Sequence, residues 1–137
     1  MTYRKAEIRS LREEDEALLF GLASLDRGAD RRTLAVLARE TVFVAEVEGS
    51  AAGYVALERK GEAFCIDQLF VSPDHEAEGV GRQLLEWAEG YAIAERALRL
   101  QVVVEEDNRR ALEFYRGRGF TSAGPDLLEL ELPRNLS

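Results

Sequence analysis

Gly79-Val80-Gly81 stands between an apolar run, Leu69-Phe70-Val71, and a stretch whose apolar residues keep helical spacing. Between the apolar run and the glycines lie a Ser72-Pro73-Asp74 break, His75, and the sequence Glu76-Ala77-Glu78. Val80, Leu84, Leu85, Ala88 and Ala92 fall at i, i+4, i+5, i+8 and i+12, one stripe of an α-helix. A strand, a glycine turn and a helix in that order leave backbone N–H groups unpaired at the helix start. Free donors and the helix dipole both favour an anion there. Glycine lets the backbone approach a bulky phosphate and adopt dihedrals that other residues avoid. Two readings are open: a pyrophosphate cradle, or an ordinary strand-to-helix connection.

The strand leading into this turn carries further reactive groups. By alternation Cys65, Asp67, Leu69 and Val71 share one of its faces. Cys65 is the only cysteine, which excludes an internal disulfide and a cysteine-based zinc cluster, and it reads as a small core residue. His75, the only histidine, sits in the turn after Pro73 and reads as a solvated loop residue.

The elements that must position these groups follow from the remaining pattern. Ala6-Glu7-Ile8-Arg9 predicts a short first strand. Glu13-Glu14-Asp15 ahead of Ala17, Leu18, Leu19 and Leu22 predicts a helix with acids at its positive end. Arg27-Gly28-Ala29-Asp30 breaks it, and Thr33 to Arg39 carries a second helical pattern. Thr41 to Val47 and Gly53 to Leu57 read as an antiparallel hairpin with a slightly long loop around Glu48-Gly49-Ser50. Lys60-Gly61-Glu62 turns the chain into a third strand, Ala63 to Val71.

After the glycine-turn helix, Ala97 to Val104 is nearly continuously apolar, as in a strand covered on both faces. Asn108 is placed to cap a helix that carries Ala111, Leu112 and Tyr115 on one face, with the acids Glu105-Glu106-Asp107 before it. Gly117 and Gly119 end that helix, and Phe120 to Ala123 with Leu127 to Leu132 predict a last hairpin. The order βααβββαβαββ predicts one α/β domain over residues 1–137, with parallel strands on either side of the glycine-turn helix.

Composition bounds the function. A chain of 137 residues, 46% hydrophobic and 32% charged, suits one soluble domain with a real core. A net charge of −8 argues against a nucleic-acid partner, which needs Lys and Arg against phosphate. No apolar run reaches the length of a membrane span, and Met1-Thr2-Tyr3-Arg4-Lys5 lacks a signal peptide's apolar segment. These features point to a cytoplasmic protein that does not engage a membrane.

Three local patterns, spread over essentially the whole chain, resemble the GCN5-related N-acetyltransferase (GNAT) superfamily. They are Ile8-Arg9 with Glu14-Asp15, Leu69-Phe70-Val71-Ser72-Pro73 leading to Gly79-Val80-Gly81, and Asn108, Ala111, Phe114-Tyr115 with Gly119-Phe120. The resemblance implies a mixed, mostly antiparallel sheet splayed between two parallel strands and flanked by helices. It implies acetyl-CoA as co-substrate and no metal. The cofactor would contact Leu69, Phe70, Val71, Glu76, Ala77, Glu78, Gly79, Val80, Gly81, Arg82, Asn108, Ala111 and Tyr115, in a cleft between the strands ending at Val71 and Val104.

By the same resemblance the Leu69 N–H stabilises the oxyanion and Tyr115 is the general acid toward the leaving thiolate, the alternative being a packed helix aromatic. An amine titrating near about 10.4 must lose a proton before it attacks. In some relatives a glutamate that serves as base stands where this chain has Cys65. Asp67, on the same face, is then the candidate base, directly or through water, or else a solvated strand aspartate. Glu76 and Glu78 depart from the family's Gln or Arg and its usual basic residue, so two carboxylates stand beside the phosphates, with Arg82, Arg109 and Arg110 available to offset them.

The implied activity is transfer of acetyl from acetyl-CoA to a primary amine of a small molecule or peptide by direct attack. The alternatives are a CoA- or ligand-binding module without turnover and transfer of a different acyl group. A homodimer through the late strands is compatible with the pattern. The acceptor site falls to Ser24 to Ala38, whose residues are generic.

Overall fold

A computed structural model describes residues 3–12 and 41–133. The helices expected from Glu13 to Leu22 and from Thr33 to Arg39, and the acceptor segment Ser24 to Ala38, lie outside the described residues. The elements are β1 (Glu7–Ser10), β2 (Thr41–Val47), β3 (Ser50–Lys60), β4 (Ala63–Val71), a 3-10 turn (Pro73–His75), α1 (Val80–Ala94), β5 (Arg99–Val103), α2 (Arg109–Gly117), β6 (Thr121–Gly124) and β7 (Leu127–Glu131). Seven strands form one sheet in the order β1-β2-β3-β4-β5-β7-β6. The β1–β2, β2–β3, β5–β7 and β6–β7 pairs are antiparallel, and β4–β5 is parallel. This is the mixed α/β sheet that the element order implies.

By its contacts the chain divides into two compact units. The first comprises the described residues up to Leu57 with Gln68–Ala88. Its hairpin is tighter than the sequence predicts. Glu48 and Gly49 alone make the turn, with φ of 52° and 80°, and β3 starts at Ser50, opposite Val47. Two consecutive left-handed residues are what a two-residue turn needs to match the twist of its strands. A register shift at Ala45/Glu46 absorbs an extra residue of β3, so the strand begins at Ser50 and not at Gly53. The helical stripe is buried as expected, with Val80 at 1% exposure and Leu84 and Leu85 at 0%. Removing each of those leucines from water stabilises the unit by about 1.5–3 kcal/mol.

The second unit comprises Glu58–Asp67 and the described residues from Glu89 onward. Here β4 and β5 pair in parallel from Ala63↔Arg99 to Ile66↔Val102. Phe64 packs edge-on against Tyr91, ring centroids 5.5 Å apart. The expectation that β5 is covered on both faces is not met. Leu100 and Val102 are buried, whereas Arg99 and Gln101 are half-buried and Val103 is 65% exposed. β5 is thus a one-sided strand in an antiparallel pair with β7, where alternation is the rule.

Candidate active site

The glycine turn lies within the first unit, and the local sequence explains its shape. Gly79 has φ 81° and Ala77 φ 62°, so two of three consecutive residues are left-handed. Glycine adopts that region freely, whereas Ala77 is held there at a cost of order 1–3 kcal/mol. The first bond at the helix start runs from Gln83 N to Gly79 O at 3.2 Å. The N–H groups of Val80, Gly81 and Arg82 therefore precede the helical ladder and are the donors an anion would meet. No acidic residue occupies the first turn of α1.

The two unusual acids of the turn differ. Glu76 is exposed. Glu78 is half-buried, and its Oε2 lies 3.2 Å from His75 Nδ1. His75 thus holds a carboxylate of the turn instead of standing in solvent alone. Arg82 does not pair with either acid; its Nε lies 3.2 Å from Glu86 Oε1, one helical turn on. Arg109 and Arg110 are exposed.

The strand before the turn changes character midway. Ala63 to Ile66 are all buried, Cys65 at 7%, but Asp67 is exposed and Gln68 to Val71 are half-buried. The change coincides with the end of the parallel register at Ile66↔Val102. Asp67 is accordingly a hydrated carboxylate, and Leu69, Phe70 and Val71 lie on a partly open strand end. Gly53 of β3 shapes that end: a Cβ there would lie 2.3 Å from Phe70 O. Sequence reasoning passed over Gly53 as a strand residue, although glycine inside a strand is a known sign of close backbone approach.

In the second unit α2 forms as its residues predict. The Asn108 side chain accepts from Ala111 N at 3.2 Å and caps the helix. Ala111 and Leu112 are half-buried and Tyr115 is buried on the inner face. The Tyr115 ring packs edge-on against Phe114 and Phe120, with centroids 5.1 and 5.3 Å away. Among the described residues its hydroxyl has no hydrogen-bond partner. Burial pushes the phenol pKa up to about 12 from the ordinary 10.0, because the tyrosinate would be poorly solvated.

A prediction follows from that shift. The folded pKa lies above the unfolded one, so this contribution to stability is complete below pH 10 and is lost as pH rises toward 12. The melting temperature of the wild type is expected to fall more steeply than that of Tyr115→Phe between about pH 10 and 12. Parallel curves would show that the phenol ionises in the fold as readily as in the open chain.

The fold and the glycine turn define a class of protein, and comparison with known sequences agrees. The chain belongs to the Acetyltransferase (GNAT) family, whose sequence model matches residues 6–120. An uncharacterized N-acetyltransferase of Archaeoglobus fulgidus is 38% identical over 87 residues, covering 56% of this chain and 57% of that protein. An uncharacterized N-acetyltransferase of Methanocaldococcus jannaschii is 34% identical over 85 residues, covering 57% of this chain and 38% of that one. The chain thus matches little more than half of one relative and less of the other.

Among solved structures, the ribosomal-protein-S18-alanine N-acetyltransferase of Escherichia coli superposes with a TM-score of 0.80 at 20% identity, covering 97% of this chain and 96% of that one. The PaiA N-acetyltransferase of Thermoplasma acidophilum, solved in complex with coenzyme A, gives 0.75 at 18% identity over 93% and 99%. At such identities the likeness is one of fold. Among the described residues no helix is long and apolar enough to cross a membrane.

Proposed function

We propose that the chain is a single acetyltransferase domain that moves an acetyl group from acetyl-CoA to a primary amine of a small molecule or peptide. One observation carries the proposal: in a chain of this family, a left-handed glycine turn presents the Val80, Gly81 and Arg82 N–H groups ahead of the first helical bond. Such a turn suits a diphosphate. The cofactor-binding set is Leu69, Phe70 and Val71 on the strand end, Glu76 to Arg82 on the turn, and Asn108, Ala111 and Tyr115 on α2. The single cysteine fits a cytoplasmic setting, where disulfides are rare.

The chemistry assigned is direct attack with no covalent enzyme intermediate. The amine nitrogen forms a bond to the acetyl carbon and the carbon–sulfur bond breaks. The amine proton leaves to Asp67 or to water, which the exposure of Asp67 permits. The Leu69 N–H stabilises the oxyanion, and Tyr115 supplies a proton to the departing thiolate. Release of free thiol from acetyl-CoA, measured across amines, amino acids and peptides, tests the proposal. No release with any of them, from a protein that is folded, would overturn it.

For Asp67→Asn the expected rate loss is roughly a hundredfold, the low end of the range for acid–base help, and greatest at low pH where the amine is hardest to deprotonate. A pH–rate profile that overlays the wild type would hand the proton to solvent. Exposed Glu76 on the turn favours a second reading, CoA binding without turnover, because a carboxylate beside phosphates opposes affinity. CoA binding seen by calorimetry without thiol release would select it, and product mass identifies any other acyl group.

A further inference from the structure

Gln83 lies four residues after Gly79, and its side-chain amide is fully engaged. Nε2 donates to Arg4 O at 2.7 Å and to Gly79 O at 3.2 Å, and Oε1 accepts from Ala6 N at 2.8 Å. Next to it, Arg4 N donates to Glu78 O at 2.9 Å. Tyr3 completes the arrangement from above: a Cβ on Gly79 would lie 2.9 Å from its Cδ2. The segment ahead of β1 is therefore fastened to the turn by backbone and side chain alike, with Ala6 and Gln83 separated by 77 positions in the sequence.

We propose that Gln83 is a positioning residue for the diphosphate-binding turn, acting through the segment Arg4–Ala6. The proposal depends on acetyl-CoA binding at this turn. The physical reason lies in how the clasp sorts donors from acceptors. Arg4 N and Gln83 occupy the carbonyl oxygens of Glu78 and Gly79, and an oxygen so occupied is held away from an incoming anion. The N–H groups of the next three residues are left as the exposed polarity. The left-handed Ala77 and Gly79 supply the second reason, because unusual conformations persist only where the surroundings over-determine them. Remove the clasp, and the turn relaxes toward conformations in which carbonyls and N–H groups compete for the same face.

The test is titration of CoA into the full chain and into Gln83→Met, a substitution of similar volume that keeps packing but loses all three hydrogen bonds. The expected result is a Kd weakened roughly five- to twentyfold, a KM for acetyl-CoA raised to match, and a much smaller change in kcat at saturating acetyl-CoA. The KM for the amine should stay put. An unchanged Kd in a variant that melts earlier would assign Gln83 to tethering the N-terminal segment alone and overturn the proposal.

If Gln83→Met does not fold, Gln83→Glu decides in the same two directions. It keeps the acceptor for Ala6 N and loses the donor to Arg4 O and Gly79 O. Its titration is run at about 1 M salt, where screening within about 3 Å suppresses the added charge. A wild type that binds no CoA sinks the acetyl-CoA proposal itself and this one with it, which the variant comparison alone cannot do.

Discussion

Tyr115→Phe is expected to slow acetyl transfer roughly ten- to a thousandfold while leaving the fold intact and the CoA affinity nearly unchanged. The substitution removes only the hydroxyl. The ring keeps its edge-on contacts with Phe114 and Phe120, so the packing of α2 against Phe120 survives. The lost hydroxyl has no partner among the described residues, so stability should hold or rise slightly, by less than about 1 kcal/mol.

The raised pKa shapes the form of the catalytic help. With a pKa of about 12 the phenol stays protonated throughout the neutral range, so the proton is always present. Giving it wholly to a thiolate of ordinary pKa, about 8.5, would be uphill by about 5 kcal/mol. Donation is therefore useful only in step with carbon–sulfur cleavage, as a hydrogen bond that shortens while charge builds on sulfur. A wild-type rate that falls away between about pH 8 and 10 must then report another group, since Tyr115 does not ionise there. An unchanged rate in Tyr115→Phe would leave the tyrosine a packing residue; equal losses in rate and CoA affinity would make it a binding one.

The second large effect is on stability. Gly53→Ala should cost about 2–3 kcal/mol, the upper part of the range for forcing an extra carbon into a packed site, and lower the melting temperature by roughly 6–15 °C. The new methyl would sit 2.3 Å from Phe70 O, 3.2 Å from Val71 Cα and 3.3 Å from Leu84 Cδ1. Two of those neighbours are backbone, and the third belongs to a side chain with no exposed surface. Relief requires the end of β4 to move, and Ser72 N, bonded to Ala52 O at 2.8 Å, resists that. Because Leu69 precedes this contact by a single residue, CoA binding and turnover should weaken alongside stability. Denaturant melts of the two proteins measure the difference. A melting temperature within about 2 °C of the wild type would show that β4 yields cheaply.

The features legible in the sequence are those whose partners lie within one turn or one alternation of each other. Val80, Leu84, Leu85, Ala88 and Ala92 announce a buried helical stripe because side chains at such spacings share a face whatever lies opposite, and all five are buried. Asn108 announces a cap because its acceptor, Ala111 N, is three residues away. The parallel strands on either side of α1 follow from chain connectivity. The family resemblance rests instead on residue identities, Leu69 to Pro73 leading to Gly79-Val80-Gly81 and Asn108 to Phe120 among them.

What the tertiary structure decided is the set of contacts between residues far apart in the chain. The insertion of β7 between β5 and β6 depends on pairing that no local spacing encodes. Whether Val103 is covered and whether Asp67 meets water are likewise set by neighbours that arrive from elsewhere. Gly53 against Phe70 O and Gln83 against Arg4 and Ala6 are the sharpest cases. A glycine in a strand and a glutamine on a helix have many uses. Each becomes specific only when a distant backbone segment is brought within about 3 Å, because steric overlap and hydrogen bonding both vanish beyond that range.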